Sequence, residues 1–168
     1  MQIHVPFDQA ARLKYPEQVV LVLTVDRNNK VNVITLGWSM FTSHQPPMMA
    51  ISVGLSRYSH EALTGRDEFV LAFPGRNMAK EALYCGTNSG RAVDKIIETG
   101  LELTDSLEVS VPLLKDAVAN FECRIVERLL TGDHTIFVGQ VVASHRNQMP
   151  AERLYTLGPS YQLGYPGL

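Results

Sequence analysis

Between residues 117 and 144 the chain reads as two long arms joined by Thr131-Gly132-Asp133, and this feature restricts the possible folds more than any other. Along the first arm Val118, Asn120, Glu122, Arg124 and Val126 fall on one side and Ala117, Ala119, Phe121, Cys123 and Ile125 on the other. That alternation is the period-two signature of a strand, and it predicts that the second set is buried. The returning arm, residues 135–144, is rich in valine, and glycine with aspartate suits the turn between them. At ~3.3 Å per residue each arm is roughly 30 Å or longer, a length that suits the wall of a barrel.

The remaining segments agree with a mainly β protein carrying inserted helices. Residues 19–25 and 31–35 are β-rich runs flanking the turn Arg27-Asn28-Asn29-Lys30, which predicts a hairpin. Pro46-Pro47 interrupts the chain, and residues 48–54 resume as a strand. A short helix over 58–64 precedes a strand over 68–73 that ends at Pro74-Gly75. Asn77 is positioned to cap a helix over 78–84, and a further helix over 92–98 ends at Gly100. No regular strand and helix alternation demands a parallel sheet, so the expected fold is an antiparallel barrel with inserted helices, one domain over 1–168.

Composition narrows the function. With 45% hydrophobic and 19% charged residues in 168, the chain can bury a core without staples. A net charge of -2 with interleaved signs offers no basic face for nucleic acid. No apolar run approaches the roughly 20 residues needed to cross a bilayer, and the first residues carry no basic and apolar leader pattern, so a cytoplasmic protein without a membrane partner is expected. Cys85 and Cys123 are far apart and outside any metal-binding spacing, which predicts two buried thiols. A reactive role would fall to Cys85, whose glycine-rich surroundings predict exposure, but no neighbouring base is evident to lower its pKa. Histidines at 4, 44, 60, 134 and 145 have no ligand rhythm, so no metal site is expected. Dinucleotide and phosphate-loop glycine motifs, His-Glu-x-x-His and Gly-x-Ser-x-Gly are absent.

Three clusters remain. Asn32, Thr35, Trp38, Ser39, Thr42 and Ser43 form a run of hydrogen-bonding residues leading to the proline pair. It suits the edge of an aromatic heterocycle, or an ordinary polar connection with Trp38 in the core. Arg57-Tyr58-Ser59-His60 assembles the donors that hold a phosphate, or a solvated helix start that Ser59 caps. Gly132-Asp133-His134 is explained by turn chemistry, or places His134 at a barrel mouth.

Taken in order, these clusters resemble the flavin reductase-like family of FMN-binding split barrels, which includes NAD(P)H:flavin oxidoreductases, flavoredoxins and a ferric reductase. The resemblance is carried by NVITLGWSMFTSHQPPMMAISVG at 32–54, RYSHEAL at 57–63, FVLAFPG at 69–75, CGTNSGRAVDK at 85–95 and TGDHTIFVGQVV at 131–142. It implies FMN as cofactor, NADH or NADPH as reductant, and a homodimer. It places Thr35, Trp38, Ser39 and Met40 nearest the ring, with Ser43 closing that segment. Arg57, Ser59 and His60 would hold the phosphate with Tyr58 nearby, and Ser89, Arg91 and Lys95 would touch the flavin or the partner chain. His134 would be the catalytic residue on the nicotinamide side, with Asp133 supporting the turn. The implied activity is an FMN-dependent reductase. Alternatives are an electron carrier of flavoredoxin type, reduced by a redox protein, and a flavin-binding module without turnover.

Overall fold

In Val20–Val25 all six residues are buried, which means that both faces of this strand are covered. The computed structural model, which describes residues 1–167, shows how. In chain order the elements are α1 (Phe7–Ala11), β1 (Glu17–Gln18), β2 (Val20–Val25), β3 (Val31–Leu36), β4 (Ser39–His44), β5 (Pro47–Gly54), α2 (Tyr58–Gly65) and β6 (Glu68–Phe73). They continue as α3 (Ala79–Thr87), α4 (Lys95–Thr99), β7 (Leu103–Thr104), β8 (Leu113–Leu114), β9 (Ala119–Thr131), β10 (His134–Arg146), β11 (Tyr155–Gly158) and β12 (Gln162–Gly164).

Seven strands form one sheet in the order β3-β2-β6-β9-β10-β5-β4, with every neighbouring pair antiparallel. Its two edge strands, β3 and β4, are separated in sequence by only Gly37 and Trp38. Two intervening residues bridge at most about 11 Å, whereas the edges of a flat seven-stranded sheet would stand roughly 29 Å apart. The sheet must therefore curl until its edges approach, and among the described residues no ladder joins β3 to β4. The result is an antiparallel split barrel. Curvature is concentrated in β10, whose register with β9 shifts at Val138/Gly139 and Val141/Ala143, as bulges bend a strand. Gly139 lets the Phe69 ring lie against the backbone, since a Cβ there would be 2.7 Å from it.

Alternate residues of β2 feed two cores. Val20 and Val22 join Ile51, Phe69, Leu71 and Phe137 in the barrel interior. Leu21, Leu23 and Val25 pack outward with Ala82 and Cys85 of α3 and with Leu101, Val111 and Leu113. In addition to a two-stranded β7-β8 ladder, a three-stranded sheet, β1-β11-β12, brings the C-terminal hairpin beside the start of the barrel.

Several sequence expectations are corrected. Residues 39–44 form a strand, so the expected loop between β3 and the proline pair shrinks to a two-residue corner. The α3 N-terminus is capped at Met78 without a side-chain bond, and Asn77 does not cap it. The fourth helix starts at Lys95, because Asp94 accepts from the amides of Ile96 and Ile97, and it ends at Gly100 with φ 68. The expected solvent face of β9 is half wrong. Asn120 and Glu122 are buried, because residues 105–117 fold over them, and Glu122 accepts from the amides of Leu107, Glu108 and Val109 and pairs with His145 at 2.6 Å. Both thiols are buried, and Cys85 is fully so rather than exposed, because α3 turns it into the outer core.

Candidate functional site

Where the edges of the barrel meet, Gly37 and Trp38 turn the chain between β3 and β4, and the Trp38 carbonyl accepts from Ser52 of β5 at 2.9 Å. The indole is 51% exposed, not packed in the core. Its ring lies 4.8 Å from that of His134, tilted by 42°. His134 opens β10 directly after the tight turn at Gly132, whose φ of 60 a glycine adopts without strain. Its Nδ1 bonds the Asp133 carboxylate at 2.6 Å, and this bond holds the Asp133 carboxyl below its ordinary range. Its Nε2 faces Gly54, where an added Cβ would approach to 3.4 Å. The pair therefore presents Nε2 to the space in front of it.

That space is a cavity of about 490 Å³, with Thr35, Trp38, Gly54, Arg57, Gly86 and His134 among its walls. Thr35 donates to the Ala82 carbonyl at 2.5 Å, which ties β3 to α3, so toward the cavity the hydroxyl is left as an acceptor. On the open side stand Ser160 and Tyr161 of the C-terminal hairpin. Both hold φ near +60, a conformation costly for residues with a Cβ.

Ile34, Arg57, Gly86 and Thr87 belong also to a second cavity of about 160 Å³, so the two adjoin across these residues. The small lobe is lined by Ser59, Ser89 and Lys95 and by no carboxylate. Lys95 is 4% exposed, and its Nζ donates to the carbonyls of Val33 and Cys85, each at 2.7 Å. An ammonium has three hydrogens, so one remains for the lobe. Burial pushes the lysine below its ordinary pKa, as expected for a cation without an anionic partner. Arg57 is exposed, and among the described residues it has no ion-pair partner.

The model of the flavin reductase-like domain matches residues 12–163. The chain belongs to the flavin reductase-like family. An uncharacterized protein of Archaeoglobus fulgidus is 38% identical over 76% of this chain and 71% of its own. An NADH-dependent FAD reductase of Streptomyces globisporus is 32% identical over 69% of each. Among solved structures, the flavoredoxin of Methanosarcina acetivorans superposes with a TM-score of 0.88 at 27% identity, covering 100% of this chain and 92% of that one.

Within this flavin reductase-like chain the sequence-derived residues do not all converge. Thr35, Trp38, Arg57 and His134 reach the large lobe, and Arg57, Tyr58, Ser59, Ser89 and Lys95 the small one. Tyr58 contributes its ring, since its hydroxyl donates to Asp26 at 2.5 Å; that bond, with burial, pushes its pKa up to about 12. Arg91 clamps the lobe from outside, bonding Glu61 and the Ser56 carbonyl. Ser59 caps nothing. His60 stands apart on the inner side of α2, where Nε2 meets Thr135 at 2.9 Å and the ring edges Phe137, and burial lowers its pKa. Ser39 and Met40 border a groove on the other side of Trp38 with Ala50 and Ile136, which shares Glu17, Gly37, Trp38 and Ser52 with the large lobe, and Ser43 lies farther along β4 outside the cavities described. The sequence reading missed Gly54, Gly86, Ser160 and Tyr161. Glycines at 54 and 86 stood in quoted stretches, but only the fold turns them toward ligand space.

Proposed function

We propose that this flavin reductase-like protein binds FMN along the adjoining cavities and carries hydride or electrons from NADH or NADPH to free flavin, ferric iron or another acceptor. The observation that carries the reading is the chemical gradient of the cleft. A broad lobe walled by Trp38 and His134 adjoins, across Arg57 and Gly86, a small lobe holding two cations and no carboxylate. A ligand with an uncharged flat heterocycle at one end and a phosphate monoester at the other matches that gradient. The small lobe, at about 160 Å³, fits a phosphate better than an adenosine diphosphate, which favours FMN over FAD.

Bound there, the flavin supplies the redox chemistry itself. The chain supplies position. Arg57, Ser59, Ser89 and Lys95 hold the phosphate end, while Thr35, Trp38 and the adjoining backbone border the ring. Met40 and Ser39 shape the outer side of the Trp38 corner. His134, with Nδ1 fixed on Asp133, directs Nε2 at the nicotinamide of an incoming donor and aligns it for transfer.

A second reading, an electron carrier reduced by a redox protein, is favoured by the likeness to the Methanosarcina flavoredoxin over the whole chain and by the exposure of Trp38 at the rim. The dimer is part of the proposal, supported by exposed Met40 on edge strand β4, which lines the apolar groove with Ala50 and Ile136. An anaerobic visible spectrum with added FMN, taken before and after NADH and then NADPH, separates these readings. Rapid bleaching of the oxidised band establishes the reductase and names its donor. Bound flavin that bleaches only with a redox protein establishes the carrier, and flavin reduced by neither is a module without turnover. A spectrum of free flavin alone overturns the site.

A further inference from the structure

Ser59 is 2% exposed and lines the small lobe, and its hydroxyl meets Asn32 Nδ2 at 2.7 Å. An amide nitrogen only donates, so Ser59 Oγ accepts and keeps its own hydrogen for another partner. Asn32, also 2% exposed, lies behind Ser59 and does not line either lobe. Thr24 Oγ1 stands 3.5 Å from both the Asn32 backbone carbonyl and Nδ2, and when it donates to the first it can accept from the second. Asn32 Oδ1 is left buried without a partner. Turning the amide over would satisfy that oxygen from Ser59, but it would consume the only hydrogen the hydroxyl has. Leaving a buried acceptor unpaired is unfavourable, and it is intelligible where the serine must remain a donor. The backbone at Gly90 seals the amide, since a Cβ there would stand 2.2 Å from Oδ1.

We infer that Asn32 is a positioning residue for the phosphate end of the flavin, acting through Ser59. By donating to Ser59 Oγ it makes that hydroxyl an obligatory donor to the small lobe, which then selects a fully ionised oxyanion that only accepts. The inference rests on the proposal that the small lobe takes the FMN phosphate.

The test is the dissociation constant for FMN and for riboflavin, which lacks the phosphate, in the parent protein and in Asn32→Leu, Ser59→Ala and the double variant. The parent prefers FMN. Ser59→Ala loses roughly tenfold or more for FMN, as expected for a hydrogen bond to a charged group. Asn32→Leu loses several-fold for FMN with riboflavin unchanged, and adds nothing once Ser59 is alanine. Independent, additive losses, or equal losses for FMN and riboflavin in Asn32→Leu, overturn the relay while leaving the phosphate assignment standing. A parent protein that binds riboflavin as tightly as FMN overturns both. If Asn32→Leu fails to fold, the smaller Asn32→Ala, which also removes the donor from behind Ser59, should show the same FMN-selective loss; an unchanged preference there overturns the relay.

Discussion

Arg57 and His134 border the same cavity but answer to different measurements. The exposed guanidinium at the junction of the lobes is expected to contribute a charge-assisted bond, so Arg57→Ala should weaken FMN binding by ~1.5–3 kcal/mol, read by fluorescence titration. An unchanged constant removes Arg57 from the phosphate site. His134→Ala should slow nucleotide-driven flavin reduction more than it weakens FMN binding, read by anaerobic stopped flow; equal rates reduce His134 to a turn residue. Cys85 illustrates the opposite case. Burial pushes its thiol up to about 11, so the thiolate is scarce near neutrality and the sulfur is inaccessible. Native protein should resist a thiol reagent at Cys85 until it is denatured, and fast native labelling would contradict the packing of α3.

At the scale of elements, the outer face of β9 depends on Glu122. This carboxylate is fully buried; burial opposes its charge, but three amides and His145 more than compensate and hold its pKa below the ordinary range. A depressed carboxylate contributes stability that is complete above its unfolded pKa and is lost as pH falls through the folded value. Residues 105–111 should therefore loosen on acidification before β9 itself opens, as followed by hydrogen exchange. Glu122→Ala, which strands three donors, should cost ~3 kcal/mol in denaturant unfolding. In that variant the acid-dependent part of the loss should vanish. A wild-type pH profile would show that the loop is held by Val111, Leu113 and the Glu68 carboxylate, which accepts from Ser110, rather than by Glu122.

For the whole molecule, the curl of the sheet is the decisive event, because it brings Thr35 of one edge strand and Trp38 of the corner beside His134 and Arg57 from the other side of the barrel. The groove beside the exposed Met40 of β4 is where the proposed second copy would pack. If it does, and if the flavin lies near that interface, FMN affinity should fall on dilution into the monomer range, and Met40→Glu should both halve the mass seen by light scattering and weaken FMN. Affinity independent of protein concentration in a proven dimer would place the flavin within one protomer.

Local patterns determined much by themselves. The period-two arms of β9 and β10, the Gly132 turn, the Gly100 helix end and the ordered stretches that mark the family follow from near-neighbour chemistry, which a linear sequence displays. The strand character of residues 39–44 was hidden, because Ser39, Thr42, Ser43 and His44 are polar and an edge strand needs no buried face. The burial of Glu122 was hidden as well, since its cover comes from a loop with no periodicity of its own. Which of the polar groups in the three clusters meet in one cleft was a tertiary decision. Tyr58 and Ser59 turn to the small lobe while their neighbour His60 turns to the barrel, because successive positions on α2 face different sides. Asn32 acquired a role only when the sheet curled and α2 packed against β3, which set its amide on Ser59, 27 residues away in the chain.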